Sequence, residues 1–99
     1  MRGPENKFKD KVKKRLNLFP RSYHFTKEAV SLRGIPDIIG CSNGKFFALE
    51  VKASRTAQKT EMQKHILEKI RRAGSFAEFI YPENEEEVLT ALYEWCTSI

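Results

Sequence analysis

Asn43-Gly44, set between the apolar runs 35–41 (IPDIIGC) and 45–52 (KFFALEVK), constrains this chain more than any other feature. An Asn-Gly step between such runs is the strongest short-range sign of a β-hairpin, because both residues accept the positive φ of a two-residue turn. A two-residue loop also fixes the register. Ser42 faces Lys45, Cys41 faces Phe46, and the same ladder carried onward sets Asp37 opposite Glu50. Side chains alternate along a strand, so Glu50 and Lys52 share a face while Val51 points the other way. Directly opposed residues have Cβ atoms about 4.5–5.5 Å apart. The sequence thus predicts two carboxylates face to face, with a lysine two residues on.

The rest of the chain supplies elements to hold that hairpin. Pro4 suits a first helical turn, and Glu5, Phe8, Val12 and Leu16 recur at helical spacing, so residues 4–18 are predicted to be a helix that Phe19-Pro20 ends. Residues 22–30 (SYHFTKEAV) are predicted to be a strand. Thr60 starts a second helix running to Ala73, with Gly74 as its C-cap. Residues 76–81 (FAEFIY) make a fourth strand that Pro82 stops, and residues 84–96 make a last helix with Glu85, Glu86 and Glu87 at its positive end. The order is α-β-β-β-α-β-α in one domain over residues 1–99. A hairpin followed by a β-α-β crossover predicts an α/β fold, a mixed sheet flanked by helices. Phe46, Phe47, Phe76, Phe79, Tyr81 and Trp95 are expected in the core, and Cys41 and Cys96 as ordinary buried or half-buried thiols.

The net charge of +5 is unevenly spread. Residues 83–99 hold five glutamates and no Lys or Arg, which leaves 18 bases against 8 acids in residues 1–82. Lys7, Lys9, Lys11, Lys13 and Lys14 crowd the first helix and are the expected DNA contacts, since a basic body suits a polyanion. A solvated, soluble surface is the competing reading of the same charges. No apolar run approaches the roughly 20 residues needed to cross a bilayer, and the charged N-terminus lacks the apolar segment of a secretory signal. A cytoplasmic location and no membrane partner are expected. His24 and His65 are read as surface residues.

Opposed carboxylates repel, and Glu50 follows Phe46-Phe47-Ala48-Leu49 in a partly buried strand, so something must offset the repulsion. A divalent cation shared by Asp37 and Glu50 does so, and hard oxygen ligands favour Mg²⁺ or Mn²⁺. Such an ion polarises a phosphate and activates a bound water. Lys52, on the same face, can orient that water or steady charge on the phosphate. The competing reading makes Asp37 a turn cap and Glu50 with Lys52 a surface ladder pair. Gln63 has two readings as well. It falls third in its helix after Thr60, where a capping box would use it, and it precedes Ile66, Leu67 and Ile70 on one stripe, so it faces the sheet near the helix start, where an active-site role would use it.

Pro36-Asp37, twelve residues, then Glu50-Val51-Lys52 resembles the PD-(D/E)XK nuclease signature. Arg33-Gly34-Ile35-Pro36-Asp37, followed by Phe47-Ala48-Leu49-Glu50-Val51-Lys52, resembles the VRR-NUC branch of that superfamily, with Gln63 and Ala73-Gly74 where that branch has a glutamine and an Ala-Gly. The likeness covers residues 33–81. It implies a restriction-endonuclease-like fold, Asp37 and Glu50 as metal ligands joined by the Val51 carbonyl, Lys52 as the catalytic lysine, and Gln63 near the metal. It also implies a glutamate from the first helix, for which Glu5 is the candidate and Glu28 the rival. Stand-alone members of the branch resemble phage-type resolvases that cut four-way (Holliday) junctions as homodimers. The expected function is therefore a Mg²⁺- or Mn²⁺-dependent endonuclease acting on branched DNA in a bacterial or phage-infected cell. A DNA-binding module of the same fold without catalysis is the alternative.

Overall fold

The computed structural model describes residues 3–27 and 34–99. Helix α1 (Pro4–Leu16) leads into strands β1 (Ser22–Thr26), β2 (Ile38–Ser42) and β3 (Lys45–Val51), then helix α2 (Glu61–Arg72), strand β4 (Phe76–Ile80), a short 3-10 turn (Pro82–Asn84) and helix α3 (Glu85–Thr97). The order matches the one expected from the sequence. Glu28 and Arg33 lie outside the described residues. β2 opens at Ile38 rather than at residue 35, because Pro36 has no N–H to give a ladder and Gly34 sits at φ 80°. Among the described residues no helix is long and apolar enough to cross a membrane.

The strands lie in the order β1-β2-β3-β4, antiparallel for the first two pairs and parallel for β3 with β4. The turn is as its dipeptide requires: Asn43 and Gly44 have φ 55° and 83°, and Ser42 pairs with Lys45, Cys41 with Phe46 and Ile38 with Leu49. One further step along that ladder is Asp37 with Glu50. Asn43 also donates from its side chain to the Cys96 carbonyl (3.1 Å), pinning the hairpin tip to α3.

The sheet separates two unequal layers. On one face α1 (Phe8, Val12, Leu16) and α3 (Val88, Leu89, Leu92, Cys96) bury Ile38, Phe47, Leu49, Val51 and Ile80. Gly40 makes room there, since a Cβ on it would come within 2.7 Å of Phe47 Cζ and of His24 Cβ. On the other face α2 covers a smaller cluster, Leu67 and Ile70 against Ala48, Ala77, Ile39 and Phe79. α2 is too narrow to reach across four strands, and among the described residues no helix covers β1 on that side. Phe46, expected in the core, is consequently 41% exposed, and Cys41 beside it is exposed rather than buried.

Charge ties the ends of the chain together. Arg15 of α1 bonds Glu85 (2.8 Å) and Glu86 (2.5 Å) at the start of α3, and Lys11 pairs with Glu85 (3.1 Å). The acidic end that stood apart in the sequence is spent in part on the basic helix.

Candidate active site

The predicted acids meet where β2 begins and β3 ends. Asp37 and Glu50 are 8% and 6% exposed, and Lys52 is 8% exposed, so the surface-ladder reading does not hold. The Val51 N–H donates to Asp37 Oδ2 at 2.9 Å, and the two carboxyl groups share a hydrogen bond. Val51 itself points into the opposite core, as strand alternation requires. Lys52 is held at its backbone by a bond to the Ile80 carbonyl (2.9 Å), so β4 fixes the lysine's place beside the acids.

The pair is electrostatically split. Burial and the hydrogen bond and charge of Asp37 push Glu50 up to about 8. Burial also works against ionising Asp37, but the proton donated by Glu50, the Val51 N–H and the positive charges of Lys9 and Lys27 outweigh it and hold Asp37 below its usual range. The two groups are thus pushed in opposite directions, Asp37 toward its ionised form and Glu50 toward its protonated form. Among the described residues no buried side-chain polar atom lacks a hydrogen-bond partner, so the arrangement is satisfied as well as tense.

Two cations at this site were not assigned to it by sequence reasoning. Lys9 Nζ lies 3.8 Å from Asp37 Oδ1 with its side chain only 16% exposed, so it serves the acids rather than the outer surface where it was expected. Lys27 follows β1, donates its backbone N–H to the Asp37 carbonyl (2.8 Å), and lines the cavity beside Glu50. That cavity, about 350 Å³, is walled by Glu50, Lys27, Gly34, Ile35, Gln63 and Ile66 among others. Its size falls within the range of ligand clefts.

Gln63 makes the capping box and also sits beside the acids. Its side-chain oxygen accepts from the Thr60 N–H (3.0 Å) while its own N–H donates to Thr60 Oγ1 (3.1 Å), a complete capping box. The same side chain lines the cavity next to Glu50. Glu5 is half-buried in the first turn of α1 and is not among the residues lining the cavity. Among the described residues no three His, Cys, Asp or Glu side chains converge as a ready-made metal cluster. Two carboxylates still suit Mg²⁺, which retains several waters and is often held by one or two carboxylates plus substrate phosphate.

Of the expected DNA contacts on α1, Lys9 faces Asp37 and Lys11 is engaged by Glu85, while Lys7 and Lys14 are exposed and Lys13 is half-buried near His24. His65 is exposed as expected; His24 is half-buried, and burial followed by the charge of Lys13 lowers its pKa. Compared with models of protein families, with curated proteins and with solved structures, this chain finds no match.

Proposed function

We propose that this protein is an endonuclease that hydrolyses DNA phosphodiester bonds with Mg²⁺ or Mn²⁺. One observation carries the reading: two buried carboxyl groups in contact, Asp37 and Glu50, with Lys52 projecting from the same strand face. A buried pair of like acids is costly, and a site that keeps it has a use for two hard oxygens in one place. The donor set fits a divalent cation, with Asp37 and Glu50 as ligands and the Val51 carbonyl as a third. When bound, the ion supplies a polarised phosphate and a water of lowered pKa.

The chain's own groups do the remainder. Lys52 steadies charge on the phosphate or orients the water. Lys27 and Lys9 draw the phosphate toward the acids, and Gln63, locked by its cap, presents its amide at the cavity wall. Lys7, Lys13 and Lys14 hold the DNA backbone from α1 without reading sequence. The resemblance to the VRR-NUC branch and the mixed sheet flanked by helices support the assignment, and the resemblance extends it to a restriction-endonuclease-like fold and to four-way junctions cut by a homodimer in the cytoplasm. Two-fold symmetry would give the two matched cuts that a junction needs.

A plasmid-nicking assay with and without Mg²⁺, on wild type and Asp37→Asn, tests the reaction. Metal-dependent nicking lost in the variant supports it; a wild-type protein that binds DNA and never nicks it leaves only a binding module. Sedimentation equilibrium with cleavage of labelled junction and linear duplex tests the rest, and a strict monomer that cuts both alike would remove the junction assignment.

A further inference from the structure

The bare half of the sheet next to the acids is aromatic. Tyr23 is 74% exposed, Phe25 50% and Phe46 41%. Register sets them in rows across three strands: Tyr23 with Cys41 and Phe46, then Phe25 with Ile39 and Ala48. Odd positions of β1 share a face, so the next place along it belongs to Lys27, whose row continues through Asp37 to Glu50. The aromatic rows and the acid pair therefore lie on one face of one sheet, with successive rows about 7 Å apart. α2 covers Ile39 and Ala48 of the second row, and leaves Tyr23, Phe25 and Phe46 exposed.

Exposed rings of this kind need an occupant. Three aromatics of about 200 Å² each, at those exposures, present roughly 330 Å². That is well short of the ~800 Å² per partner of a stable protein interface, and a patch of this size on a monomer is often functional. The 7 Å between alternate rings on β1 is twice the ~3.4 Å rise of stacked nucleotides. The ring rows end at positive charge, Lys27 and Lys52, on the side where a phosphate would enter. Flat apolar rings beside cations are what a single strand requires, since every base offers a π-face and every linkage a negative charge.

We propose that Tyr23, Phe25 and Phe46 form a stacking platform for unpaired bases of the DNA strand whose phosphate enters the acid site. The identity of the ligand rests on the nuclease reading above. The platform gives the site a substrate class: DNA with single-stranded nucleotides next to the bond that is cut. Linear, fully paired duplex leaves the rings uncovered, and a four-way junction covers them only where pairs at its branch point open.

The test uses the full chain, metal-free, and two fluorescent probes, oligo-dT and a fully paired duplex of equal length. Alanine at a stacking ring weakens single-strand binding by roughly 5–150-fold per base in comparable platforms. Tyr23→Ala with Phe25→Ala is expected to weaken oligo-dT binding at least tenfold and duplex binding less than twofold, while Tyr23→Phe and Phe25→Trp retain it. Equal loss on both probes, or loss on neither, overturns the platform. So does sedimentation in which wild type is a dimer and the double variant a monomer, which would make this face a self-association surface. Plasmid nicking by the same proteins separates the two readings. A wild type that nicks with unchanged oligo-dT binding in the variant sinks the platform alone. A wild type that never nicks, but whose oligo-dT binding depends on the rings, keeps the platform and sinks the nuclease.

Discussion

Glutamine at position 50 isolates what the acid pair costs the fold. Burial and Asp37 raise the Glu50 carboxyl from 4.5 to about 8, so the folded chain keeps a proton that the unfolded chain releases. Stability from that proton is fully present below about pH 4.5 and is lost as pH rises through about 8. Two carboxylates about 4 Å apart repel by about 4 kcal/mol at an effective dielectric constant near 20. Relaxation and water reduce this, and about half, ~2 kcal/mol, is a fair expectation for the metal-free protein at high pH. Glu50→Gln preserves shape and a donor toward Asp37 while removing the second charge. A domain of this size moves its melting point by about 4–8 °C per kcal/mol. In EDTA the variant is therefore expected to melt with wild type near pH 5 and about 10 °C above it near pH 9. Asp37, held low, stabilises the fold above its ordinary range and loses that contribution only as pH falls through its depressed value, below the assay window. His24 titrates alike in both proteins and cancels. Millimolar Mg²⁺ should close the gap at high pH by restoring wild type alone. A difference in melting point that is the same at both pH values would refute the reasoning, because no titrating repulsion would then be at work.

Lys9→Met should tighten Mn²⁺ binding severalfold by calorimetry, since the Lys9 ammonium competes with a cation for Asp37; weaker binding would mean that Lys9 helps to build the site. Lys52→Ala is expected to abolish cutting with DNA affinity within about twofold by anisotropy, and an equal loss of both would reduce Lys52 to a phosphate contact. Neutralising Lys7 and Lys14 together should lower the slope of log affinity against log salt by about two on every DNA sequence, whereas Lys11→Gln leaves it nearly unchanged because Glu85 already occupies that charge. Arg15→Ala strips a partner from buried Glu85 and is expected to cost about 2 kcal/mol in urea unfolding.

Asp37, Glu50 and Lys52 were legible because a two-residue turn leaves no freedom: Asn43-Gly44 dictates every later pair on the hairpin. Helix spans were legible from apolar spacing and caps, as the Thr60–Gln63 box shows. Lys27 was not, because β2 starts well after β1 ends in sequence, and nothing in that spacing states that Lys27 meets Asp37. Lys9 was hidden for a different reason. A lysine beside the Phe8–Val12 stripe reads as a surface charge until the helix is docked, and only docking brings it to an acid on a distant strand. Phe46 was misread because apolar runs do not say how many strands a single helix can cover.

The lacing of α1 to α3 has a consequence for the order of assembly. Arg15 of α1 finds its charged partners, Glu85 and Glu86, 70 and 71 positions later in the chain. α1 shares its apolar bed with Val88, Leu89 and Leu92 of the same late helix. Contacts of such sequence separation form last, since the loop between them must first be closed. Lys9 rides on α1, so Asp37 acquires its tethered counter-charge only when synthesis has passed α3. A nascent chain stopped before Glu85 should leave α1 open to protease while the hairpin is already protected, and one released after Thr97 should shield both. The acid pair thus reaches its finished electrostatic setting only after α3 has been made.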